Sequence, residues 1–230
     1  LIGLASFYVG LRKNNYLFPI SFIFFGLSFF SYHSAKIVVP IVVLIVCLLN
    51  IKEVFKNKVN LVLAVIATLF FGLLIIAEPK ILGFARINQT KFSEQQVANA
   101  GGKLNLVFDN YKKHFTYNYL FLTGDQGPRA SVKIIGQFYK LDLFLLIIGF
   151  ISLVLKKKWH ALVVILTWVL VSPIPSSVSS IEPSSIRGIF IIAPILLLSA
   201  YGTSNLVSLF KSDILKAVVS ILIITFLGRE

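Results

Sequence analysis

Charged side chains are scarce in this sequence of 230 residues. Only 13% of them are Asp, Glu, Lys or Arg, whereas 57% are hydrophobic. An ordinary soluble domain has roughly a quarter charged residues. Because the surface of a soluble protein must be largely polar, this chain could not bury so much apolar area in a water-soluble fold. The composition therefore favours an integral membrane protein, with membrane lipids as its first partners.

Acidic residues are the scarcer of the two charged classes, with 9 Asp and Glu against 22 Lys and Arg and a net charge of +13. Such a charge alone would suit a nucleic-acid-binding protein. However, the basic residues stand in short clusters between apolar runs, which is typical of cytoplasmic loops facing anionic lipid. We therefore expect no nucleic-acid partner.

Cysteine and methionine are almost missing. The single Cys47 lies in an apolar run and cannot form an internal disulfide, so we expect a small buried or lipid-facing residue. Together with the scattered His33, His114 and His160 it makes no metal-ligand set. Methionine is absent, and the chain opens inside the apolar run Leu1–Leu11. We therefore expect the natural N-terminus to lie upstream.

Long apolar runs predict an all-α fold, a polytopic transmembrane bundle of seven or eight spans. The first run, which ends at Leu11, is shorter than the roughly 20 helical residues that cross a bilayer core. The remaining predicted spans are Tyr16–Ser31, Ile37–Leu49, Asn60–Ala77, Leu141–Leu155, Ala161–Ser172, Gly188–Leu206 and Lys216–Leu227. This pattern divides the chain into helices at 1–77, a large loop at 78–140 and further helices at 141–230.

Basic residues in the short connections predict the orientation. Ten of them fall in alternate connections, and the other short connections contain only Lys36 and Arg187. The ten are Arg12, Lys13, Lys52, Lys56, Lys58, Lys156, Lys157, Lys158, Lys211 and Lys216. Positive charge in short loops marks the cytoplasmic side. The loop at 78–140 is therefore expected outside a bacterial or archaeal cell membrane.

The large loop contains its own helical signals. Ser93 and Gln96 have the spacing of a capping box. Further on, apolar residues recur at helical spacing, with charged residues on the other faces. The apolar set is Leu104, Val107, Phe108, Tyr111 and Phe115. The pattern predicts that Ser93 to about Tyr119 is mainly helical and that an amphipathic helix lies on the outer membrane surface.

Arg187 is the most suggestive charge at the predicted outer face. It follows Ser184, a candidate N-cap, and opens an apolar run. A helix beginning there would point its positive end and the guanidinium toward the same anion, and a lipid phosphate suits that depth. The alternative is an ordinary arginine that snorkels to the interface. The spans contain almost no charged residues, which counts against an ion pump or coupled transporter.

Four segments near the predicted outer face carry a resemblance. They are the Tyr32-His33-Ser34-Ala35-Lys36 turn followed by Pro40, the stretch from Asn118-Tyr119-Leu120-Phe121 to Gly124, Asp125 and Arg129, the span end Leu170–Pro175, and Glu182-Pro183 with Arg187. In order and spacing, over most of the chain, they resemble the GT-C class of membrane glycosyltransferases. The likeness is closest to protein O-mannosyltransferases and the bacterial aminoarabinose transferase.

The resemblance implies an inverting transferase. Its donor would be a polyprenyl-phosphate-linked sugar, and its acceptor a protein, lipid or glycan on the outer face. The family's acidic catalytic residue lies in the first outer loop, which would precede Leu1, so we place no catalytic residue in this chain. A divalent cation, where the enzyme uses one, would be bound mainly by that upstream part. We predict no metal ligand among the residues present.

The resemblance also implies roles for individual residues. Arg187, Lys36, Arg129 and Lys133 are expected to bind the donor phosphate. Tyr32, His33, Asp125 and Glu182 are expected on the sugar or acceptor side. Where some family members have a histidine before the last arginine, this chain has Ser184-Ser185-Ile186. Two other functions stay open: a transporter or flippase of lipid-linked saccharides, and a non-catalytic membrane scaffold.

The orientation can be tested by cysteine labelling. A cysteine at Asn99, in the loop predicted to lie outside, should react with a membrane-impermeant thiol reagent in intact cells. A cysteine at Asn57, in a basic connection, should react only after the membrane is opened. The reverse pattern would overturn the orientation.

Overall fold

The structure, a computed structural model, describes residues 1–77, 91–125, 135–180 and 183–227. These residues form helices and contain no strand, so the all-α class is confirmed. The α-helices are α1 (Ile2–Lys13), α2 (Leu17–Ser31), α3 (Ala35–Leu49), α4 (Ile51–Val54), α5 (Lys58–Ala77), α6 (Glu94–Asn99), α7 (Lys103–Lys113), α8 (Lys140–Leu155), α9 (Trp159–Val171), α10 (Ile174–Ser177), α11 (Ile192–Ser208) and α12 (Asp213–Leu227). A π-helix covers Asn118–Leu122, and a 3₁₀ turn at Ile189–Ile191 leads into α11.

Three of the described helices are long and apolar enough to cross a membrane. They are Lys58–Ala77, Trp159–Ser177, in which α9 runs on into α10, and Ile189–Ser208, in which the 3₁₀ turn runs on into α11. Helices α2 and α3 are apolar but shorter. A membrane protein is therefore suggested by the structure as well as by composition. Every predicted span has a helix at its position.

The chain divides into two compact units, Leu1–Phe92 and Ser93–Glu230. In the first unit, α2 packs against α1, α3 and α5. Helices α1 and α2 approach closely because Gly10 has no side chain. A β carbon at Gly10 would lie only 2.1 Å from the backbone nitrogen of Phe18. The buried ring of Phe7 fills the contact and lies 5.4 Å from the ring of Phe18.

The second unit is built on the pair α8 and α11. Gly149 and Gly202 let the two backbones touch. A β carbon at Gly149 would lie 2.3 Å from the Leu198 carbonyl oxygen, and one at Gly202 would lie 2.0 Å from that of Leu145. Contacts this close are available only to glycine, so the sequence dictates the helix spacing at this crossing.

Apolar anchors join the described part of the loop to this helix pair. Phe121 of the π-helix and Phe138 pack with Ile191 and Ile195 in one buried cluster. The Phe138 amide donates to the Leu120 carbonyl at 2.8 Å. Phe121 and Phe138 are therefore held against the start of α11, near the polar residues described below.

The glycine contact predicts a large effect for a small substitution. Gly202→Ala would force α8 and α11 apart, and overpacking of this kind costs about 1–3 kcal/mol. The thermal unfolding midpoint of the purified protein should therefore fall. Gly72→Ala is the matched control, since a β carbon there meets no atom within 4 Å and alanine favours a helix by up to about 1 kcal/mol. An unchanged midpoint for Gly202→Ala would contradict the packing described.

Candidate functional site

Helix α7 and its C-cap residue bury two polar side chains, while two apolar side chains of the same helix are exposed. Asn110 is 3% exposed and His114 is 1% exposed, whereas Leu104 and Phe108 are 84% and 61% exposed. The helix packs against α10, and the Tyr111 hydroxyl donates to the Leu170 carbonyl at 2.8 Å. A helix in this orientation brings hydrogen-bonding groups into the interior of the unit.

The predicted helicity of this region is confirmed. Helix α6 begins with the capping box, in which the Gln96 amide donates to Ser93 Oγ at 3.2 Å and the Ser93 amide donates to Gln96 Oε1 at 3.0 Å. Helix α7 lies within the predicted range, and the π-helix begins at the end of that range and runs on to Leu122. The prediction succeeded because a capping box consists of hydrogen bonds between residues close in the sequence.

Buried serines line the facing segment, where α9 turns into α10. Ser172 donates to the Trp168 carbonyl at 2.6 Å, and Ser177 donates to the Pro173 carbonyl at 2.9 Å. Ser176 Oγ instead accepts from the Ser184 amide at 3.0 Å and so reaches the next segment of chain. Each hydroxyl is therefore satisfied within the fold, which lets polar residues occupy an otherwise apolar helix end.

Asp125 joins the loop to the turn before α11. Its carboxylate oxygen Oδ2 accepts from the Ser185 amide at 2.7 Å and from the Ser185 hydroxyl at 3.0 Å. The side chain is only 2% exposed. Gly124 precedes it with φ 64°, a left-handed conformation that glycine adopts without strain. A buried carboxylate held by two donors has one fixed position.

Arg187 lies in the turn that Asp125 holds. The Gly188 amide closes this turn by donating to the Ser184 carbonyl at 2.9 Å, and the Arg187 guanidinium donates to Ser179 Oγ. The prediction that Ser184 caps the helix is wrong, because the helix begins at Ile189 and Gly188 holds the cap position. The physical reason is the loop contact: Asp125 engages the Ser185 amide, and this tertiary bond replaces a local cap.

His114 reaches the same turn from α7, and its role was missed by sequence reasoning. Its Nδ1 lies 2.8 Å from the Asn110 carbonyl oxygen, and since a carbonyl only accepts, Nδ1 carries the proton. The ring meets that of Tyr119 edge-on at 5.3 Å. Burial lowers the pKa of His114, opposed by carbonyls of Asn110 and Tyr111 and by the charge of Asp125. The sequence signal that could have identified it is its spacing from Asn110: residues four apart lie on the same face of a helix.

The predicted site residues are divided between the two units, and three of them lie outside the described residues. In the first unit, Tyr32 and His33 lie between α2 and α3, and their rings are 6.3 Å apart. Lys36 lies in the first turn of α3, with its Nζ 3.5 Å from His33 Nδ1. In the second unit, Asp125 and Arg187 meet at one turn. Three predicted residues fall outside the described residues: Arg129, Lys133 and Glu182.

The Asp125 contact predicts a stability difference between two aspartates. Asp125→Ala leaves the amide and hydroxyl of the partly buried Ser185 without this acceptor, and loss of such an acceptor costs about 1–3 kcal/mol. Asp109, 54% exposed in its pair with Lys112 at 2.9 Å, is the matched control, because exposed pairs contribute about 0–1 kcal/mol. Denaturant or thermal unfolding should therefore separate Asp125→Ala clearly from Asp109→Ala. Equal stabilities would contradict the role assigned to Asp125.

Known proteins do not decide what this arrangement does. No family model matches the chain, and no curated protein or solved structure matches it either. Within the described residues, no group of three or more His, Cys, Asp and Glu side chains is placed to hold a metal ion. The described contacts of Arg187 and Asp125 are therefore the basis for a proposed function.

Proposed function

We propose that this chain belongs to a polytopic membrane glycosyltransferase that moves a sugar from a polyprenyl-phosphate donor to an acceptor on the extracytoplasmic face. The observation that carries the proposal is the position of Arg187, in a turn fixed by Asp125 at the start of the apolar helix Ile189–Ser208. A cation at the mouth of an apolar helix suits an anionic lipid headgroup, because the headgroup lies where the hydrocarbon core ends.

The exposed apolar surface supports the membrane part of the proposal. Only 11% of the apolar window of α5 is buried within the protein, as expected for a helix whose other faces contact lipid. The amphipathic α7 exposes Leu104 and Phe108, and Lys112 Nζ lies 4.6 Å above the Phe108 ring. Apolar residues flanked by a snorkelling lysine suit a helix in the outer interface. The loop at 78–140 would then lie outside.

The chemistry of the donor explains why an arginine is needed. As the glycosidic bond breaks, negative charge develops on the polyprenyl phosphate that leaves. A guanidinium contacts a phosphate through two parallel N–H groups, and the positive end of the helix that begins at Ile189 acts in the same direction. Groups fixed in advance stabilise the charge as it forms, without reorganising. Arg187 is the residue that would do this.

The sequence assigns roles in this function to further residues. Lys36, Arg129 and Lys133 would contribute to phosphate binding, and Tyr32, His33 and Glu182 to the sugar or acceptor side. Asp125 would act on the acceptor side while holding the turn of Arg187. No residue of this chain is assigned as the base for the acceptor hydroxyl. Helix α7 would cover the site and exclude water, which otherwise hydrolyses the donor.

Substitution of Arg187 tests the proposal. Arg187→Ala should reduce sugar transfer by about 10²–10³-fold, the loss typical when one preorganised charge-stabilising donor is removed. Arg187→Lys should recover only part of that rate, because an ammonium cannot make the two-pronged contact. The measurement is transfer of labelled sugar from a purified polyprenyl-phosphate donor by the full-length protein in lipid.

Two controls make the result interpretable. Lys157→Gln changes an exposed lysine in the connection between α8 and α9, and transfer should stay near the unsubstituted rate. Unfolding midpoints of all variants should agree, so that a lost rate reflects chemistry. Full activity of Arg187→Ala would remove the residue from the site, and no transfer from any polyprenyl-phosphate donor would overturn the proposed function.

A further inference from the structure

An apolar groove runs between α2 and α5 in the first unit. Its volume of about 460 Å³ lies in the range of roughly 300–1,000 Å³ typical of ligand pockets. The side chains that line it come from the start of α2 and the middle of α5, and they include Tyr16, Ile20, Ile23, Leu63, Ile66 and Phe70. All six are exposed, Ile66 and Phe70 by 56% each. The groove is therefore open on one side, where a membrane would place lipid.

The groove is nearly as long as one leaflet of a bilayer is thick. It extends from Tyr16 to Ile23 along α2 and from Leu63 to Phe71 along α5. At a rise of 1.5 Å per residue these stretches are roughly 10–12 Å long. The hydrocarbon core is about 30 Å thick, and each leaflet contributes about half of it. A transmembrane helix of a partner would cross both leaflets, so these dimensions favour a single lipid chain.

A hydrogen bond between two asparagines brings two lysines together. The side-chain amide of Asn57 donates to Asn14 Oδ1 at 3.0 Å. In the chain, Lys58 follows Asn57 directly and Lys13 directly precedes Asn14. Both lysines are exposed, and neither forms an ion pair with another residue that the structure describes. Their ammonium groups can therefore receive an anion.

A second asparagine contact places these lysines at one end of the groove. The side-chain amide of Asn60, which is 5% exposed, donates to the Asn15 carbonyl at 3.3 Å. Asn15 directly precedes Tyr16, and Asn60 lies three residues before Leu63. Because Tyr16 and Leu63 are the first lining residues of their segments, the groove begins where the two connections meet.

The charge at this end of the groove suits an anionic headgroup. Residues 1–77 contain six basic residues and one acidic residue, Glu53. Five of the six lie in or beside the two connections that the asparagines join: Arg12, Lys13, Lys52, Lys56 and Lys58. Basic residues at a membrane surface attract anionic lipids, and basic pockets between transmembrane helices bind their headgroups.

We propose that this groove binds one acyl chain of an anionic phospholipid whose phosphate lies at Lys13 and Lys58. The lipid belongs to the leaflet whose surface is at these two lysines. Apolar contacts along the groove hold the chain, and the lysines select an anionic headgroup over a zwitterionic one. No residue assigned to sugar transfer takes part, so the inference goes beyond the proposed function and is independent of it.

Photolabelling of the full-length protein tests the site. The probe is a phosphatidylglycerol with a diazirine on one acyl chain, present as a minor component of phosphatidylcholine vesicles. After irradiation, peptide mass spectrometry should find adducts concentrated on residues 16–23 and 63–71. Lys13→Gln combined with Lys58→Gln should reduce this labelling about fivefold for each lysine removed. The same diazirine on phosphatidylcholine should label the groove more weakly, to an extent that these substitutions leave unchanged.

Two matched controls separate the groove from general effects of charge and bulk. Lys157→Gln combined with Lys211→Gln removes the same charge from exposed lysines of the second unit and should leave groove labelling unchanged. Ala67→Phe places a ring in the groove and should reduce labelling by both lipids. Val65→Phe places the same ring at a position that is 48% exposed and does not line the groove, so labelling should persist.

Several outcomes would overturn the inference. One is labelling spread evenly over the apolar helices, and another is labelling by phosphatidylglycerol that survives loss of both lysines. Displacement of the probe by undecaprenyl phosphate but not by excess phosphatidylglycerol would assign the groove to a polyprenyl lipid. Cross-links between two copies of α5 in place of lipid adducts would assign it to a second copy of the chain. The assay contains no sugar donor, so each of these results leaves the proposed function standing.

Discussion

The bond pair between Asp125 and Ser185 is the constraint on which the second unit depends. It joins positions 60 residues apart and fixes the turn that contains Arg187. A carboxylate that is 98% buried must find donors, because burying an unsatisfied charge costs several kcal/mol. The amide and hydroxyl of Ser185 supply them. If either partner is lost, the apolar contacts of Phe121 and Phe138 with Ile191 and Ile195 still join the loop to the start of α11, but the turn of Arg187 loses its fixed position.

The orientation of α7 follows from this constraint and from its surroundings. A helix in water normally buries its apolar stripe and exposes its polar face. Here Asn110 and His114 are buried, whereas Leu104 and Phe108 are exposed beside the exposed Asp109 and Lys112. This arrangement is stable only if the interior provides hydrogen-bonding groups and the exterior tolerates apolar ones. The serines near α10 and the Asn110 carbonyl provide the first, and a lipid interface would provide the second.

The helices could be predicted from the sequence because their signals are local. Apolar runs bounded by basic residues predicted a helix at every position where one begins within a few residues, and the spacing of Ser93 and Gln96 predicted a capping box that is present. The site could be predicted only in part. Arg187 was singled out by its position and Asp125 by the resemblance. The bond from Asp125 to Ser185 depends on tertiary contact, and the same bond explains why the local cap expected at Ser184 is absent.

His114 was missed because nothing in the sequence distinguishes it from an isolated histidine. Its surroundings depend on Gly188, 74 residues further along, where an added β carbon would lie 3.6 Å from His114 Cδ2 and 3.9 Å from Nε2. Contacts between residues so far apart in the sequence are decided by the whole fold.

Close helix packing connects the fold to the proposed chemistry. Because Gly149 and Gly202 bring α8 and α11 into backbone contact, the axis of the helix Ile189–Ser208 has little freedom to shift. The aromatic anchors Phe121 and Phe138 hold the loop against the same helix. Electrostatic stabilisation of a leaving group is effective only when the charges and dipoles are fixed before the bond breaks. A helix start held by packing and a turn tethered by Asp125 meet that requirement, because both are positioned before any ligand arrives.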